Sequence, residues 1–150
     1  MTVDGLPLHP LVVHFTIVFL LLVAGAQVLA VLLPRFRAWI GWGLPLGGLV
    51  TAFLVWITAA SGDVLSDTHD TPLVEKHEDW GELLRTFGIT LGVATVVYWL
   101  ITSPWGREKL GDRLPSWLVT VLGIAAALIA AATIVITILT GHSGATAVWS

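Results

Sequence analysis

Long apolar runs alternate with short polar breaks along this chain, and the lengths of the runs set the architecture. Four runs stand out: Leu11–Leu33, Trp39–Ala60, about Leu83–Ile101, and Trp117–Leu139. The hydrocarbon core of a bilayer takes roughly 20 helical residues, and each run reaches or approaches that length. With their flanks they predict spans at about 11–33, 39–60, 80–102 and 117–139 of one domain covering residues 1–150. The breaks carry the expected punctuation. Pro34-Arg-Phe-Arg37 predicts a tight turn that makes the first two helices antiparallel neighbours; Ser61–Thr71 is polar; Ser103–Ser116 is charged and holds Pro104 and Pro115. Trp39, Trp42, Trp80, Trp99, Trp105, Trp117 and Trp149 lie at or near run ends, where an amphipathic ring favours the headgroup layer. The expected fold is all-α, a polytopic membrane four-helix bundle.

Composition sharpens this. The chain is 56% hydrophobic and 11% charged, whereas soluble domains run near a quarter charged; its mean hydropathy is +0.90. There are too few polar residues to coat a water-facing surface. With no cysteine, disulfides, iron–sulfur ligation and covalent c-type haem attachment are excluded. The only methionine is Met1, so soft sulfur sites for copper are absent as well. Any metal would sit on histidine, carboxylate or backbone oxygen. A net charge of -3 gives no reason to expect nucleic acid. The opening Met1-Thr-Val-Asp4 lacks the basic stretch of a cleaved signal, so the first run is expected to be a retained helix.

Basic residues set the expected orientation. The breaks at 34–38 and 103–116 hold Arg35, Arg37, Arg107, Lys109 and Arg113, while the opposite side holds only Lys76 and Arg85. That opposite side also carries Asp4, Asp63, Asp67, Asp70, Glu75, Glu78, Asp79 and Glu82. The two basic loops are therefore expected in the cytoplasm, with both termini and the 61–82 segment on the outer side of the membrane.

The histidines follow this polarity. His9 and His14 open helix one, His69 and His77 lie between helices two and three, and His142 closes helix four. Alternating helix direction puts all five on the outer side. Pro10 suits the first helical position, and His14, four residues on, sits about 6 Å deeper. An ionisable side chain inside a membrane is costly and usually faces a partner within the bundle; a neutral imidazole bonding a neighbouring helix is the plainer alternative.

Thr71-Pro72 reads as an N-cap followed by proline at the first helical position. His77, Gly81, Leu84, Gly88, Gly92 and Thr95 then share one stripe of helix three, a groove that would admit a flat group or simply let helices pack closely. Arg85 borders it and would pair with Glu78, Glu82 or an anionic ligand group. Gly141 reads as the C-cap of helix four, with His142 just beyond it. Asp63, after a Gly62 cap, lies at the level of the cluster as a supporting carboxylate. His69, in Asp67-Thr-His-Asp70, carries the least weight.

Four motifs occur in order: His9-Pro-Leu-Val-Val-His14-Phe, Ser61-Gly-Asp63, Glu75-Lys-His77-Glu78, and Gly141-His-Ser-Gly-Ala145. Together they resemble the bacterial membrane family catalogued as domain of unknown function 2231, over essentially the whole chain. Thr16 stands where the family motif usually has proline. The resemblance implies a four-helix membrane module, and its motif histidines fall on His9, His14, His77 and His142. Related modules are sometimes joined to Rieske or cytochrome-type domains, which implies redox work.

Three functions fit. In the first, imidazoles clamp haem b near the outer face, with His14 and His77 as principal ligands, His9 and His142 as additional ones, and Gly81, Gly88 and Arg85 around the macrocycle. In the second, His14, His77, His142 and His9 with Glu78 or Asp63 hold a zinc, copper or iron ion. In the third, the chain is a structural or assembly subunit. Expected partners are the lipid bilayer, a quinone, an external Rieske or cytochrome domain, and further copies of the chain. No catalytic residue or hydrolase motif is evident. A reporter placed after Ser150 or near Thr68 is expected to read as non-cytoplasmic, and one near Lys109 as cytoplasmic; an opposite result at either outer position would relocate the whole histidine cluster.

Overall fold

In a computed structural model, residues 2–3, 6–66, 72–110 and 114–149 are described. A two-residue antiparallel pair, β1 (Thr2–Val3) with β2 (Leu6–Pro7), registers Thr2 with Pro7 and Val3 with Leu6. Helices follow: α1 (Leu8–Leu32), α2 (Pro34–Ile40), α3 (Gly43–Ser66), α4 (Pro72–Thr102), α5 (Pro104–Leu110) and α6 (Ser116–Trp149). Four stretches are long and apolar enough to cross a membrane: Val12–Leu32, Gly43–Ser61, Glu75–Thr102 and Ser116–Thr146. The four expected spans are present.

The spans close into a ring in which α1 neighbours α3 and α6, and α4 faces the same two helices from the opposite corner. Around the outside stand large apolar side chains, Phe15, Leu22, Leu32 and Leu128 among them, each about two-thirds exposed. In water such a surface would aggregate; in lipid it is the solvated face.

The tightest seam joins α3 to α4. A side chain at Gly48 would collide with the Thr95 hydroxyl, and a Cβ on Gly92 would lie 2.8 Å from the Gly48 carbonyl oxygen and 3.0 Å from Ala52 Cβ. Gly48 and Ala52 on α3 thus meet Gly92 on α4, and small residues at the contact let the two backbones touch. Gly88 itself is covered by Val55, with Leu20 of α1 behind. The apolar core continues from here through Val23, Ala24, Leu84, Leu91 and Ala130.

Buried hydroxyls bond within their own helices. Thr51, Thr95, Thr133, Thr137 and Thr140 donate to the carbonyls of Gly47, Gly92, Ile129, Thr133 and Ile136 at 2.7–2.9 Å. Thr16 reaches further: its hydroxyl lies 2.6 Å from that of Thr58 and ties α1 to α3. Gln27 differs, since its amide is wholly buried and has no hydrogen-bond partner among the described residues.

At the end rich in Arg and Lys, α2 and α5 cap the bundle. Arg37 donates to the Tyr98 hydroxyl at 2.6 Å, which donates to the Ala30 carbonyl at 3.3 Å. Trp42, Trp99 and Trp105 pack together with ring centroids 4.0–5.8 Å apart.

Four local expectations need correction. The 34–37 segment is a helix rather than a tight turn, because Pro34 at its first position pre-sets φ; the reversal comes at Gly41, whose φ of +47° suits a residue without Cβ. Helix α1 begins at Leu8, ahead of Pro10. Gly62 and Gly141 cap nothing: α3 runs on to Ser66 and α6 to Trp149. A glycine inside a helix costs only about 1 kcal/mol, less than leaving carbonyls unpaired near hydrocarbon. Pro72 does open α4, as the sequence predicts.

Gly92→Ala is expected to destabilise the bundle by about 1–3 kcal/mol, because the obstructing atom is backbone and cannot swing away. Gly25→Ala, with nothing within 4 Å of the added Cβ, should be neutral or gain up to about 1 kcal/mol. Unfolding of both variants in the same detergent would compare them, and equal stability would rule out the close α3–α4 seam.

Candidate functional site

The start of α1, the end of α3, the start of α4 and the end of α6 share one end of the bundle, because four antiparallel crossings return the chain to the side from which it started. His14, His77 and His142 are all on elements at this end. So is His9, in the first turn of α1, and so is Asp63, near the end of α3; the side chains of both lie outside the described residues, as does His69 altogether.

His77 is the most constrained of the group. Its Nδ1 lies 3.1 Å from Ser143 Oγ. The same hydroxyl lies 2.9 Å from the Thr140 carbonyl; when its one hydrogen is donated there, Nδ1 is the donor of the pair, and neutral His77 then carries its proton on Nδ1 and its lone pair on Nε2. The ring rests on Gly144, where a Cβ would stand 2.9 Å from Cε1 and 3.2 Å from Nδ1. Nearby, Thr140 Oγ1 lies 3.2 Å from the Trp80 carbonyl as well as 2.9 Å from that of Ile136, so its one hydrogen is shared between them. Two side-chain bonds and one glycine contact thus fasten the start of α4 to the end of α6.

The expected glycine groove splits in two. Gly88 and Gly92 are filled by α3, with Leu20 of α1 also against Gly88, and there the groove is helix packing. Gly81, one turn from His77, has nothing among the described residues within 4 Å of a Cβ position, so a flat approach to the backbone survives there and not at Gly88 or Gly92.

The other candidates differ from His77 in exposure and partners. His14 is exposed, on the side of α1 turned away from the buried Thr16–Leu20–Gln27 stripe. Arg85 Nη2 sits 3.5 Å from Glu82 Oε1, both side chains substantially exposed, a pairing of little energetic weight in a high dielectric. Glu78 is exposed. His142 is exposed too and lines a cleft of about 250 Å³ with Lys76, Trp80, Leu139, Ser143 and Thr146. Among the described residues no three metal-ligating side chains form one group.

Ser143 and Gly144 are the functional-site residues that sequence reasoning missed. Their signal lay in the Gly141-His-Ser-Gly-Ala145 motif, where the histidine drew the attention. Once α6 continues past Gly141, Thr140, Ser143 and Gly144 fall on one face at spacings of three and four, and that face meets His77.

Ser143→Ala should cost about 1 kcal/mol of stability and release the tautomer. In ¹⁵N spectra of neutral His77, wild type should show a protonated Nδ1, and the variant a mixture of both tautomers. Unchanged ring shifts in the variant would rule out the serine as the group that orients the imidazole.

No curated protein and no solved structure matches the chain. A family model described as a predicted membrane protein, DUF2231, matches residues 5–150, nearly the whole length. The chain belongs to that family of multi-pass membrane proteins.

Proposed function

We propose that this protein is a membrane-embedded cofactor-binding module in which His77 ligates iron as haem b at the mouth of the bundle and supports electron transfer. One observation carries the reading: His77 Nδ1 lies 3.1 Å from Ser143 Oγ, itself 2.9 Å from the Thr140 carbonyl, a contact that suits the tautomer with its lone pair on Nε2. Histidines that bind metals commonly donate their second ring nitrogen in this way. The open backbone at Gly81 fits the edge of a macrocycle lying beside His77, whereas the filled positions at Gly88 and Gly92 do not. His9 and His142 belong to the same end and are the second-ligand candidates. The exposed His14 on α1 is the less suited partner.

Haem would supply one-electron chemistry. With His9, His14, His77 and His142 on elements at one end, the chain would exchange electrons between a quinone and an external redox domain rather than across the bilayer. In the orientation given by the basic residues, that end faces away from the cytoplasm of a bacterial cell. A zinc, copper or iron ion on His77 is the same reading with a different metal.

A second reading, a structural or assembly subunit, is favoured by the close fit of the ring on Gly144, which makes His77 a fastener between α4 and α6.

Absorption spectra and metal analysis of the purified protein separate these readings. A Soret band is expected, lost in His77→Ala and weakened about 10–100-fold in affinity in Ser143→Ala. Gly81→Val should expel haem yet spare a bare ion, and His14→Ala should retain the cofactor. A colourless, metal-free wild type with no change on His77→Ala would leave the structural subunit as the function.

A further inference from the structure

The cleft between α4 and α6 differs in chemistry from the surface around it. Among the described residues its lining is Lys76, Trp80, Leu139, His142, Ser143 and Thr146, with no carboxylate. Yet the neighbouring residues of α4 include Glu75, Glu78, Asp79 and Glu82, all exposed. Helical geometry explains the segregation. Lys76 and Trp80, four apart, look along the α6 seam, while Glu75, Asp79 and Glu82 follow the outward face. Arg85, the other described cation at this end, is engaged with Glu82.

We infer that this cleft seats the phosphate of an anionic phospholipid headgroup. Its depth is right: Lys76 and Trp80 stand at the start of the apolar stretch Glu75–Thr102, and His142 and Thr146 at the end of Ser116–Thr146. The Lys76 ammonium and the Trp80 indole N–H are donors by their chemistry, and His142 adds ring nitrogens. Leu139 and the Trp80 ring form the apolar side, along which acyl chains would continue beside exposed Val135 and Ile138. The surrounding carboxylates oppose a free phosphate dianion arriving from water. A lipid phosphodiester carries a single charge and is delivered to this depth by its tails.

The cleft shares Ser143 and His142 with the reading at His77, but Lys76 belongs to the cleft alone, so replacing it tests the lipid site without removing a candidate ligand. The test uses the full chain in nanodiscs with equal parts of dioleoyl phosphatidylcholine and dioleoyl phosphatidylglycerol, released and weighed by native mass spectrometry. One phosphatidylglycerol is expected to stay bound in preference to phosphatidylcholine. Lys76→Gln should reduce that retention about fivefold. Arg85→Gln, the same charge change at the same end but outside the cleft, should leave it unaltered. Equal retention in Lys76→Gln and wild type would overturn the site, and so would an equal loss in Arg85→Gln. Displacement of the lipid by inorganic phosphate would overturn the lipid assignment in favour of a soluble anion.

Discussion

Hydrocarbon offers no hydrogen bonds, and most of this structure follows from that single deficit. Each backbone polar group in a span must be paired inside its own helix, so the helices run on past glycines that would end them in water. Each buried hydroxyl must find a carbonyl, and the threonines take the one in the preceding turn of their own helix. Having satisfied themselves locally, they leave packing to shape. Shape is supplied by Gly48, Ala52 and Gly92, where two backbones approach as closely as the chain allows. Gln27 is the exception. Its amide is fully buried with no described partner, and leaving such a group unpaired costs about 1–3 kcal/mol.

The number, order and direction of the spans were legible because run length against bilayer thickness is a one-dimensional problem. Rotation about each helix axis was not. A soluble helix reveals its buried face by its polar one; α1 is apolar all round between Val12 and Ala26 apart from His14 and Thr16. Nothing in the sequence says that Thr16 faces the core and His14 faces out. On α4 the small residues did mark the inner face, so the stripe through Leu84, Gly88 and Thr95 was readable and is buried. Helix ends were misplaced at Gly62 and Gly141 for one reason: cap rules describe helices that end in water.

The candidate site was legible to the same degree. Alternating direction was enough to bring the elements bearing His9, His14, His77 and His142 to one end, since that depends only on counting crossings. Which side chain each histidine would meet depended on rotation and on the true length of α6. His77 needed Ser143 and Gly144 in helical register, and that register exists only because α6 continues beyond Gly141.

The extension of α6 therefore matters more to the site than any single histidine. Were the helix to stop at Gly141, Thr140 would still bond the Trp80 carbonyl, but Ser143 and Gly144 would leave the face that meets α4. His77 would then lose both its contact with Ser143 and the surface on which its ring rests. Continuation past Gly141 also carries His142 and Thr146 onto the wall of the cleft opposite Lys76 and Trp80. One extra stretch of helix, held by ordinary backbone bonds, thus orients an imidazole toward the bundle seam and forms a basic recess on its outer side.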